Sequence, residues 1–114
     1  MEFKVEESKK IDDGSHKGVV VGIIYRDEPY KYSDILIEMS NVTGVTLKVG
    51  YPSIVMPESR LGQLLKRFGA EIKVGTTVDP EKILVGKNCQ FVTISETTPK
   101  GTFARIVPES LKAL

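Results

Sequence analysis

Pro57-Glu58-Ser59-Arg60-Leu61-Gly62-Gln63-Leu64-Leu65-Lys66-Arg67-Phe68-Gly69 is the stretch on which the fold turns. Leu61, Leu64, Leu65 and Phe68 recur at i, i+3, i+4 and i+7, the apolar stripe of an amphipathic helix. Pro57 suits a first helical position, and Glu58 complements the positive end of the helix dipole. Lys66 and Arg67 fall in the last turn, and Gly69 suits a C-terminal stop. The spacing predicts a helix over about residues 58–68 with its stripe in the core. Its outer face, Arg60, Gln63, Lys66 and Arg67, is basic. Such a face is usually solvated, and contact with a partner or a phosphate is its other use.

Upstream the period shortens to two. Strand one is expected over about residues 16–26, where Val19, Val20, Val21, Ile23 and Ile24 are β-branched. Apolar residues on both faces predict two-sided burial for part of its length. Gly18 and Gly22 interrupt it, and a glycine inside a strand marks a bulge or bend. Asp27-Glu28-Pro29 is a turn. Strand two, about residues 30–40, alternates cleanly. Ile35, Ile37 and Met39 point one way, and Tyr32, Asp34 and Glu38 the other, with Leu36 among them. Asn41-Val42-Thr43-Gly44 closes a hairpin into strand three, about residues 45–51, where Val45, Leu47 and Val49 alternate with Thr46 and Lys48. Asn41-Val42-Thr43 also matches the glycosylation triplet, which a cytoplasmic chain does not use.

Downstream, residues 70–78 read as extended or irregular. Asp79-Pro80-Glu81 supplies an N-cap, a first-position proline and an acid, so a helical turn is expected over residues 80–84, ended by Gly86. Strand four follows at about residues 88–95, a turn at 97–101, and strand five at about 102–107. Pro108-Glu109-Ser110 repeats the tripeptide Pro57-Glu58-Ser59 and predicts a short terminal helix through Leu114. The order is β-β-β-α-β-β. Three antiparallel neighbours, a helix and a hairpin describe a mainly β, five-stranded OB-fold, a Greek-key barrel with the helix plugging one end. An SH3-like barrel is the nearest rival and lacks a three-turn helix at that position.

Size and composition fit this reading. The 114 residues suit one domain, expected over residues 15–114 behind a polar leader at 1–14. A chain of this size needs neither disulfide nor metal to fold. Cys89 is the only cysteine, so the chain forms no internal disulfide and no cysteine-based zinc site of its own. Neither a signal peptide nor an apolar run of membrane-spanning length is visible, so a cytoplasmic location without a membrane is expected. The net charge of +1 neither favours nor excludes nucleic acid. Residues 1–13 carry five acids against three lysines, a local −2, which leaves +3 on the remainder.

A resemblance then becomes visible. Ser59-Arg60-Leu61-Gly62-Gln63-Leu64-Leu65-Lys66-Arg67-Phe68-Gly69 resembles the "S-x-L…L-L…G" helix of small phage and archaeal OB-fold proteins taken to bind single-stranded DNA. Leu84-Val85-Gly86-Lys87 matches their "L-x-G-K" lead-in to strand four, and Phe103-Ala104-Arg105-Ile106-Val107-Pro108 their last strand running into a proline-led tail. The likeness covers about residues 17–110 in layout. It implies the fold and, through it, single-stranded DNA or RNA as partner. The chain departs from an ideal binder of that kind in being nearly neutral and in having no tryptophan.

OB-folds bind on the face of strands two and three, flanked by the loops joining strands one to two and four to five. Single-stranded nucleic acid needs cations along its phosphates and aromatic faces for its bases. Arg26, Tyr30, Lys31 and Tyr32 stand at the first loop, Lys48 on strand three, and Lys100, Phe103 and Arg105 at the second loop and strand five. These are the candidate nucleic-acid-binding residues. Plainer uses exist for each kind. Tyr30 and Tyr32 can shield strand edges, Lys48 and Lys100 can be solvated charges, and Arg105 can pair Glu38 or Glu96. Asp27, Glu28 and Asp34 sit beside the tyrosines and repel phosphate.

No catalytic reading competes. The chain has no Walker loop, zinc-protease motif or nucleophile elbow, so no enzyme, cofactor or metal is expected. His16 stands alone and reads as a surface or strand-start residue. Asp12 and Asp13 form a carboxylate pair in the leader, without the rigid placement that catalysis requires. Cys89 reads as a small core residue. The expected partners are single-stranded DNA or RNA, with a homo-oligomer or a replication partner as further possibilities. The rival reading is an OB barrel that assembles with itself or another protein, motivated by exposed strand edges and by Leu36 on the outward face of strand two.

Overall fold

The computed structural model describes residues 11–114 apart from Asn41 and Thr43. Most of the expected leader, and part of the strand-two-to-three turn with its triplet, therefore lie outside the described residues.

The backbone of the fold is one long strand. β1 (Gly14–Arg26) pairs antiparallel with β2 (Tyr32–Met39) over Gly18–Arg26 and with β4 (Asn88–Thr98) over Gly14–Val19. The two ladders overlap only at Gly18 and Val19, so each half of β1 belongs to a different part of the sheet. β3 (Thr46–Pro52) pairs β2, β5 (Gly101–Ile106) pairs β4, and the order is β3-β2-β1-β4-β5. The sheet curls far enough that its ends, β3 and β5, come into contact without sharing a ladder. The result is a mainly β, open antiparallel sheet with two helices.

The bend in β1 is a bulge. Val20 opposes Ile37 and Gly22 opposes Leu36, so Val21 is the extra residue between them. The expected two-sided burial of this strand does not occur. Val20 is buried, while Val21 and Ile24 are about half exposed.

β2 and β3 follow their alternation. Ile35, Ile37, Met39, Val49 and Tyr51 are buried on the inner face, and Phe91, Cys89, Ile106 and Leu111 join them from the other half. Burial pushes the Cys89 thiol up to about 11, and Cys89 donates to the carbonyl of Gly18 at 3.5 Å. His16 stands near the start of β1, as expected, and is half-buried. Its ring lies on the inner side 6.0 Å from that of Phe91, and its Nε2 donates to the Asp12 carbonyl at 2.7 Å. That carbonyl also accepts from Thr93 Oγ1 at 2.9 Å, which ties down the described end of the leader.

The helix expected over residues 58–68 is α1 (Arg60–Arg67), two residues shorter at its start. Ser59 has extended backbone and its hydroxyl accepts from the Gly62 N–H at 3.0 Å, so Ser59 is the N-cap and Pro57-Glu58 lie before the helix. At the other end the N–H groups of Gly69 and Ala70 donate to the carbonyls of Lys66 and Leu65, a Schellman stop. Leu61, Leu64 and Leu65 enter the core and Phe68 packs at its margin, while α1 lies against β3. α2 (Pro80–Leu84) forms as expected behind its Asp79 cap.

The terminal helix expected through Leu114 does not form. Pro108–Ser110 makes a single 3-10 turn, and Lys112–Ala113 becomes a sixth strand, β6, pairing β4. Arg67 on α1 explains the difference. Its Nε donates to the Leu111 carbonyl at 2.7 Å and its Nη2 to the Pro108 carbonyl at 3.2 Å, while the Tyr51 hydroxyl donates to the latter at 2.6 Å. These bonds hold the turn at Pro108 and the extended backbone at Leu111, whose side chain drops into the core.

Gly62 sits inside α1, where propensity alone favours alanine by about 1 kcal/mol. A Cβ there would stand 1.8 Å from the Met56 carbonyl oxygen. Gly62→Ala is therefore expected to destabilise by about 2 kcal/mol or more through overpacking against backbone, opposite in sign to propensity. Urea unfolding followed by circular dichroism checks the sign.

Candidate nucleic-acid interface

Residues directly opposite in an antiparallel ladder share a face. The register therefore defines the outward surface of β1, β2 and β3. Arg26 lies beside Tyr32, Ile24 beside Asp34, and Gly22 beside Leu36. Across the next ladder Asp34 opposes Gly50, Leu36 opposes Lys48, and Glu38 opposes Thr46.

The centre of this face is a built unit. Arg26 forms a two-pronged bond to Asp34, Nε to Oδ2 at 2.6 Å and Nη2 to Oδ1 at 3.0 Å. The same guanidinium stands over Tyr32, its Cζ 5.3 Å from the ring centroid. Asp34 points outward by alternation, yet only 2% of it is exposed, whereas 42% of the Arg26 side chain remains open. Gly50 makes the room. A Cβ there would stand 2.9 Å from Asp34 Oδ1 and 3.1 Å from Tyr32 Cδ2. Ile24, half exposed, and Leu36, half-buried, extend the face as an apolar strip.

The other candidates fall around this centre unevenly. Tyr30 and Lys31 occupy the β1–β2 connection and are exposed, Tyr30 at 72%. Lys48 is exposed beside Leu36. Among the described residues, Lys31 and Lys48 form no ion pair. Lys100 is at the tip of the β4–β5 hairpin, and Phe103 and Arg105 follow on β5. Phe103 is half exposed opposite Glu96, and Arg105 bonds Glu96 at 2.7 Å, one of the two pairings open from sequence. The hairpin is at the far end of the strand order from β3 and reaches the first group only around the curl. The eight candidates thus form two groups.

Tyr25, although exposed, does not belong to this surface. It pairs with buried Ser33 and so alternates to the opposite side. Partial burial, then the carboxylates of Glu81 and Asp79, raise its phenol above the usual range. The basic outer face of α1 is also less free than expected. Gln63 and Lys66 donate to the Pro57 carbonyl, and Arg67 holds the tail.

Two features of the site were not anticipated. Asp34 is the buried anchor of Arg26 and not an open repellent charge, and Gly50 is a spacer. A glycine in the middle of strand three was the available signal for close approach. An open cleft of about 560 Å³ lies elsewhere, between the loops on either side of α1, lined by Val55, Met56, Ile72, Val74 and Val78. Among the described residues no three His, Cys, Asp or Glu side chains gather as metal ligands, and no helix is long and apolar enough to cross a membrane. The chain matches no protein-family model and no curated protein sequence.

The two arginine–carboxylate pairs differ in burial, which sets their worth. Arg26→Ala leaves Asp34 buried and unpaired and is expected to destabilise by about 2 kcal/mol, less than a fully buried pair would cost because 42% of the arginine is open to solvent screening. Arg105→Ala breaks an exposed pair and is expected to change stability by less than about 1 kcal/mol. Thermal unfolding of the two variants side by side tests the difference.

Proposed function

We propose that this chain is an OB-type barrel domain that binds single-stranded nucleic acid, DNA in preference to RNA, with little sequence discrimination and without catalysis. The carrying observation is the outward face of β1, β2 and β3. It presents Tyr32 under a guanidinium, an apolar strip of Ile24 and Leu36, and lysines at its margins. Bases need a flat, partly apolar surface and phosphates need cations beside it, and this face offers both. The fold argues in the same direction. A long bulged first strand shared by two half-sheets, the order β3-β2-β1-β4-β5 and a helix between β3 and β4 are consistent with an OB-type barrel. The resemblance to small phage and archaeal single-stranded-DNA-binding proteins agrees with it.

A protein-interaction role is the second reading. The cleft lined by Val55, Met56 and Val74 favours it, since Val74 is 89% exposed. Light scattering on a size-exclusion column separates the two. A monomer that binds oligonucleotide supports the first reading, and an assembly indifferent to oligonucleotide supports the second.

Fluorescence anisotropy with a labelled oligothymidine tests binding directly. Saturable binding at low salt is expected, and none at tens of micromolar protein would sink the proposal. Tyr32→Ala should weaken binding by about 1–3 kcal/mol, the worth of one stacked base. With Lys31, Lys48 and Lys100 as the lysines available for phosphate, log K against log[salt] should fall with a slope no steeper than about −2.

A further inference from the structure

Resting on the nucleic-acid reading, we infer that Asp34 is a positioning residue that turns Arg26 from a phosphate contact into part of a charge-neutral base platform. The strand's phosphates are left to the marginal lysines.

Three observations carry this. The carboxylate of Asp34 is almost wholly buried and takes two of the guanidinium's five N–H donors, so the pair is neutral and the plane of Arg26 is fixed. The guanidinium stands over Tyr32, its Cζ 5.3 Å from the ring centroid, and remains partly open to solvent. Gly50 is kept free of a side chain at the point where one would strike both Asp34 and Tyr32. A surface cation meant only for phosphate needs none of this. It would stand unpaired, as Lys48 does among the described residues.

The chemistry follows from the charge count. A phosphate approaching Arg26 meets the Asp34 carboxylate immediately behind it, so little net attraction remains. A base is neutral, stacks on a guanidinium plane or an aromatic ring, and can accept from the N–H donors that Asp34 leaves free. Lys48, on the outer strand β3 of this face, is exposed and forms no ion pair among the described residues. The middle of the surface thus selects for bases, and the unpaired lysines lie outside it.

Salt dependence separates the two roles, because only a cation that displaces counterions from phosphate contributes to the slope. The test compares wild type, Asp34→Asn, Arg26→Gln, Arg26→Lys and Lys48→Gln against labelled oligothymidine over a salt series, with circular dichroism to verify folding. Arg26→Gln is expected to weaken binding about fivefold with the slope unchanged. Arg26→Lys, which keeps the charge and loses the plane, should not rescue it. Lys48→Gln should make the slope shallower by about 0.7, and Asp34→Asn, by freeing the guanidinium, should make it steeper by about 0.7. If Arg26→Gln flattens the slope as Lys48→Gln does, Arg26 holds a phosphate and the inference fails. Arg26→Lys binding like wild type overturns it too, since the pair would then be structural only. Wild type that does not bind at all overturns the nucleic-acid reading, a different outcome from either. Should Arg26→Gln be unfolded, Asp34→Asn and Arg26→Lys still decide the matter.

Discussion

β1 is hydrogen-bonded to two different strands along two different halves, and almost everything else follows from that division. A straight strand could serve both only in a flat sheet. The extra residue at Val21 bends the strand just past the overlap at Gly18 and Val19, so that β2 and β3 leave in one direction and β4 and β5 in another. The curl brings β3 into contact with β5 and encloses a core in which Val20, Ile37, Cys89 and Phe91 meet. Ile24, on the outer side of β1, is half exposed beside Asp34.

The helix and tail close what the curl leaves open. α1 delivers three leucines to the core and, through Arg67, takes hold of the C-terminal carbonyls. Tyr51 on β3 donates to the same tail, and burial raises its phenol well above the usual range, against the opposing effect of Arg67. β3, α1 and the tail are thus linked by polar bonds at one side of the core, while β6 adds a short ladder to β4.

The candidate surface gains its character from pairing rather than from net charge. Two of the arginines that invite a phosphate contact are already engaged by carboxylates, one of them buried. The free cations are lysines at the margins, and the centre is aromatic, apolar and neutral. On the proposed reading, such a surface would suit ligands with flat uncharged faces and modest charge demand, in keeping with the near-neutral chain as a whole.

The amino-acid sequence by itself determined the elements whose causes are local. The leucine spacing of α1, the proline and aspartate that start α2, and the period-two faces of β2 and β3 depend on neighbours within about one helical turn or one pleat, so they were readable in order and nearly in extent. Tyr32 and Lys48 could be assigned to an outward face for the same reason. Only the tertiary structure decided the rest. Gly62 is required by the Met56 carbonyl outside the helix, whereas the start of α1 at Arg60 had a local cause in the Ser59 cap that the helical pattern did not reveal. The tail became a strand because Arg67, far back in the chain, took its acceptors. Arg26 changed from a free cation to a held one because the β1–β2 register set it opposite Tyr32 and diagonal to Asp34, and the β2–β3 register set a glycine opposite Asp34. Such partnerships depend on strand register and on contacts distant in sequence, which residue pattern alone leaves open.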